Sequence, residues 1–87
     1  MSWGTETARK FSNDELCAIL EKLSSSGEFG TILRSKGFVA SDSGSWLYFD
    51  LVPGEYEVRE GSPAVTGRLC VIGAQLDEAA LIKLFSV

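Results

Sequence analysis

The chain predicts an α+β fold: a two-layer sandwich in which an antiparallel sheet of four to five strands carries two amphipathic helices on one face. Three observations predict it. Residues 12–27 place apolar side chains at helical spacing behind a capping signal. Residues 31–58 alternate apolar and polar side chains through three successive runs. Residues 76–86 then return to helical spacing.

The elements follow in order. TETARKF (5–11) is short, contains threonine and ends on an aromatic, as a strand feeding a helix would. Ser12 and Glu15 form a capping box, each side chain reaching the other's orphaned backbone N–H. Leu16, Ile19, Leu20 and Leu23 then mark one apolar stripe, and three serines with Gly27 stop the helix. TILRSKGFVAS (31–41) reads as a strand with Leu33 and Val39 on one face and Arg34, Lys36 and Phe38 on the other. After an Asp-Ser-Gly turn, SWLYFDLV (45–52) sets Leu47, Phe49 and Leu51 against Trp46, Tyr48 and Asp50. Pro53-Gly54 turns the chain into EYEVREG (55–61), an edge or half-exposed strand. RLCVIG (68–73) reads as a compact central strand, and Asp77 caps a closing helix, with Leu76 and Leu81 placed to form a hydrophobic staple. The resulting order, β-α-β-β-β-β-α, is a ferredoxin-like variant and makes one domain over residues 1–87. Residues 1–5, with Trp3, lack a pattern and leave two readings open: a disordered or cloning-derived stretch, or a segment whose Trp3 packs back on the sheet.

Composition narrows the chemistry. A chain of 87 residues buries only roughly 60 to 65 % of its unfolded surface, which leaves little room for a deep private cleft. Net charge is −4, so phosphate backbones are repelled unless the few basic residues cluster. There is no histidine, hence neither the commonest metal ligand nor the usual near-neutral general base. The two cysteines, Cys17 and Cys70, are expected as buried reduced thiols; sequence does not give their separation, so pairing stays open. No run approaches a membrane span and the amino terminus lacks a signal-peptide core, which predicts a cytoplasmic chain without membrane contact.

GTILRSKGF (30–38) carries the letters of a phosphate loop in the wrong places. G-x-x-x-x-G-K-[ST] needs glycines to curl amides round phosphate and a hydroxyl to hold magnesium. Here Ser35 replaces the second glycine and Gly37 the hydroxyl, and the segment continues into a strand rather than a helix. No catalytic residue and no metal ligand set is expected in this domain.

Three pieces, KFSNDELCAILEKL, ILRSKGFV and RLCVIGAQLDEAALIKLF, resemble in order and spacing the C-terminal domain of CobW-type GTPases, the cobalamin-synthesis family of metal-insertion proteins. The resemblance spans residues about 6 to 86. It implies a non-catalytic end of a metallochaperone, with GTP, magnesium and a transition metal (zinc or cobalt) held by a preceding GTPase domain. Its implied partners are that domain in cis and a metalloprotein client.

The candidate partner-contact residues are Arg34, Lys36, Phe38, Trp46 and Tyr48. Arg34 and Lys36 share a strand face, where they either meet a partner's carboxylate or phosphate or pair across strands with Asp50, Glu55 or Glu57. The aromatics fall on the same open face and are read as a contact surface; the competing arrangement folds segment 53–67 over them. Gly37 is expected to mark a bulge or a close backbone approach. Two other functions compete: a single-stranded nucleic-acid platform on the aromatics, disfavoured by charge, and a metal carrier using both thiols with Asp14 or Asp77, disfavoured by the missing histidines.

Overall fold

The computed structural model describes Met1–Val87. Its elements are β1 (Ser2–Thr7), β2 (Lys10–Phe11), α1 (Asn13–Ser25), β3 (Thr31–Ser41), β4 (Trp46–Val52), β5 (Glu55–Gly61), β6 (Gly67–Ala74) and α2 (Glu78–Phe85). The long strands line up as β1-β6-β3-β4-β5, with every neighbouring pair antiparallel. The α+β sandwich is as expected, but the sheet holds one strand more. Residues 5–11 split at Ala8 and Arg9 into β1 and the two-residue β2, which runs parallel to β3 at Ala40 and Ser41, beyond the last pairing of β3 with β6.

For residues 1–5 the disordered reading is corrected. They belong to the fold: β1 pairs with β6 from Ser2↔Ile72 to Thr7↔Gly67, and Trp3 is buried with its ring stacked on Phe85 at 6.0 Å. The short segment has no partner nearby in sequence, so its strand exists only because β6 offers it an edge.

Both helices turn their apolar sides to the same sheet face. Leu16, Ile19, Leu20 and Leu23 of α1 join Val39, Leu47, Phe49, Leu51, Leu69 and Val71 of the strands and Leu81 and Phe85 of α2 in one core. Burying each such leucine favours folding by about 1.5–3 kcal/mol relative to leaving it in water. The opposite face of the sheet carries no helix.

The capping box of α1 forms only by half. Ser12 Oγ accepts from the Glu15 N–H at 3.0 Å, but the Glu15 carboxylate turns to the Arg9 guanidinium instead of the Ser12 N–H. Arg9 also donates to the Phe85 carbonyl at 3.2 Å and lies 4.2 Å over the Phe11 ring. The guanidinium offers the Glu15 carboxylate a full opposite charge where the Ser12 N–H offers only a dipole, and through it Arg9 ties the start of α1 to the end of α2. Ser12→Ala is expected to cost about 1 kcal/mol of unfolding free energy, read by urea denaturation. At α2, Asp77 caps as expected, accepting from the Ala80 N–H at 3.1 Å.

Candidate functional site

Strand alternation decides which side chains reach the open face, and one irregularity resets it. Register shifts between Ile32 and Arg34, a bulge that turns both Leu33 and Arg34 away from the core. Ile32, not Leu33 as the unbroken alternation suggested, is the core residue; Leu33 is 56 % exposed. From Arg34 onward the expected parity holds. Lys36 and Phe38 stand on the open face, while Ser35 and Val39 are buried.

Cross-strand pairing then sets all five predicted contact residues along one face, with Arg34 and Trp46 towards its two ends. Phe38 faces Tyr48 with ring centroids 5.3 Å apart, and the Trp46 ring lies 6.5 Å from that of Phe38. All three rings are half-exposed. Segment 53–67 does not fold over them. β5 extends the sheet beside β4, and only the Ser62 carbonyl reaches in, accepting from the Tyr48 hydroxyl at 2.7 Å. The Tyr48 ring lies directly over Gly61, where a Cβ would sit 2.3 Å from it.

Arg34 resolves into a cross-strand pair. Its guanidinium grips both Asp50 oxygens, at 3.2 and 2.9 Å, and this hydrogen bonding holds the Asp50 carboxyl below the usual carboxylate range and raises Arg34 further. Because the folded value is the lower one, the pair's contribution is present above the ordinary carboxylate value of about 3.9 and is lost as pH falls through the folded one. Asp50→Asn is therefore expected to flatten the acid limb of the stability–pH curve, measured by denaturation at a series of pH values between neutrality and about 2. The contribution is small, since both groups meet solvent.

Three members of this face were missed in the sequence. RLCVIG does not lie wholly in the core: Leu69 and Val71 are buried, whereas Arg68 and Ile72 are exposed and Cys70 half-buried on the open side. The signal was there, since Arg68, Cys70 and Ile72 share parity. Cys70 sits directly across from Lys36, and Arg68 from Phe38. Cys17, on α1, is also half-buried rather than enclosed. The sheet lies between the two free thiols, so they cannot bind one ion together, and nowhere do three Cys, Asp or Glu side chains converge.

The GTILRSKGF segment is settled by pairing. Residues 31–41 are extended, bonded to β6 on one side and β4 on the other. The Ser35 hydroxyl is buried and donates to the Cys70 carbonyl at 2.8 Å. Its amides hold strands together and cannot wrap a phosphate. No helix is long and apolar enough to cross a membrane.

Fold and face together define a class: a two-layer α+β sandwich whose sheet is covered on one side and open on the other. Residues 1–87 match the family described as cobalamin synthesis protein cobW C-terminal domain, and the chain belongs to that family. Among solved structures it is similar to the Zn(II)-bound YjiA GTPase from E. coli (TM-score 0.82, 23 % identity, 98 % of this chain covered). A Zn(II)-bound triple mutant of YjiA GTPase matches with the same TM-score, identity and coverage. The chain spans 28 % of the length of each. No curated protein sequence matches it.

Proposed function

We propose that this domain is the non-catalytic interaction and regulatory module of a CobW-type GTPase metallochaperone. It docks through its open sheet face on the GTPase domain of the same polypeptide, or on a metalloprotein client, and assists metal insertion in the cytoplasm. Zinc or cobalt is the metal class; GTP, magnesium and the transition metal belong to the preceding domain. The observation that carries this reading is the helix-free face, where Phe38, Trp46 and Tyr48 form a half-exposed aromatic cluster bordered by charged side chains. Family membership and the likeness to part of a longer, Zn(II)-bound GTPase support it.

A nucleic-acid platform would use the same rings, but Arg34, Arg59 and Arg68 are each paired with a carboxylate, and net charge is −4. Little free positive charge is left for a backbone of phosphates.

The docking reading is tested by titrating the GTPase portion of a family member into the isotope-labelled chain, with GDP and with a GTP analogue. Amide shifts confined to the strands around Arg34, Lys36, Phe38, Trp46 and Tyr48, different in the two nucleotide states, are expected. An unperturbed spectrum in both states would overturn it.

A further inference from the structure

We propose that the depression around Lys36 receives a single carboxylate side chain, with an apolar neighbour, from an extended acidic segment of a partner protein. This deepens the docking reading above and rests on it. The depression has a volume of about 270 Å³ and is lined by Lys36, Phe38, Tyr48, Arg59, Arg68 and Cys70 among others. That is below the roughly 300–1,000 Å³ of sites that enclose a cofactor-sized ligand, and suits one or two side chains.

Charge selects the occupant. Asp50 is the one acidic residue in the lining, and both its oxygens are taken by Arg34. Arg59 leans on Glu57 at 3.7 Å and Arg68 on Glu6 at 3.1 Å. Lys36 faces Asp50 across the β3–β4 pair, but Arg34 holds that carboxylate, so Lys36 is the one cation of the lining without an ion pair of its own, although the chain as a whole is acidic. Its ammonium offers three donors. Arg34 and Lys36 thus flank a single carboxylate, and one further carboxylate completes the match. A polyphosphate or a nucleic-acid backbone brings several negative charges, and meeting them here would mean displacing Glu6 and Glu57 from their arginines.

Shape points the same way. Beside Lys36, the stacked Phe38 and Tyr48 rings give an apolar wall for the residue next to the carboxylate. On the other side of Lys36, Cys70 stands across from Gly4, whose missing side chain leaves the β1 end of the depression open to an extended chain.

The probes are two terminally capped pentapeptides, Ala-Leu-Glu-Phe-Ala and Ala-Leu-Gln-Phe-Ala, titrated into the labelled domain at low salt. The Glu peptide is expected to shift the amides of Lys36, Phe38 and Cys70 saturably, and the Gln peptide to bind about fivefold or more weakly. Lys36→Gln should erase that difference, and Lys83→Gln, on α2 and away from the face, should keep it. Equal binding of the two peptides, shifts elsewhere, no shift at millimolar peptide, or stronger perturbation of the same amides by GTP or oligouridylate would each overturn the proposal. The two readings separate on the GTPase portion. Undiminished docking on Lys36→Gln sinks the carboxylate site and leaves docking standing. Failure of that portion to dock on the unaltered domain removes the docking reading itself.

Discussion

Phe85→Ala is expected to lower the unfolding free energy by about 3–5 kcal/mol, the range for deleting a fully buried aromatic. Phe85 has no exposed surface and stacks on Trp3, so it is the contact that holds α2 to the first strand. A chain of 87 residues commands a total stability of only about 4–13 kcal/mol, so the change removes a large fraction of it. The loss should be uneven. Without the ring, Trp3 loses its cover and β1 keeps little besides its ladder to β6, so amides of β1 should exchange faster than those of β3 and β4. A urea midpoint shifted by less than the equivalent of about 1 kcal/mol, or exchange rising uniformly, would contradict this account.

Gly37→Ala is expected to destabilise by about 1–3 kcal/mol, against the usual sign. Elsewhere in a strand, alanine gains about 0.5–1 kcal/mol over glycine by restricting the unfolded chain. At position 37 the added Cβ would lie 2.2 Å from the Arg68 carbonyl oxygen and 3.0 Å from the Phe49 ring. The oxygen is backbone of the neighbouring central strand and cannot swing away; the ring is core and packed. Relief requires β3 and β6 to separate where they pair, beneath Lys36 and Phe38. Gly4→Ala is the matched control: on the edge strand its Cβ would meet only the Leu69 carbonyl oxygen, at 3.3 Å. It should be near neutral in the same denaturation series, whereas Gly37→Ala moves the midpoint down. If the two behave alike, the close approach is not what keeps glycine at 37.

Much of the face was legible because alternation is a local rule. Trp46, Tyr48 and Asp50 share parity, as do Arg34, Lys36 and Phe38, whichever strands they pair with. The bulge at Leu33 was not legible: an inserted residue appears only where two strands disagree in register, and one strand's letters do not carry the other's spacing. Arg9 was missed for a related reason. Its three contacts, with Glu15, Phe11 and the Phe85 carbonyl, draw on both ends of the chain, and a single arginine beside a short strand has no period to betray it.

By itself, then, the sequence determined the helices, the Ser12 and Asp77 caps, the three-strand meander and the side of β4, of β5 and of β3 beyond its bulge that meets water. Helical and strand periodicity act over a few residues, and burial of one apolar side per element rewards them directly. Tertiary structure alone decided that Trp3 is core, that Cys70 looks outward beside an unpaired Lys36, and that Gly37 has no room for a methyl group. Each of these depends on β6 entering between β1 and β3, a pairing of segments far apart in the chain, and the energy that selects it exists only once the whole sheet has closed.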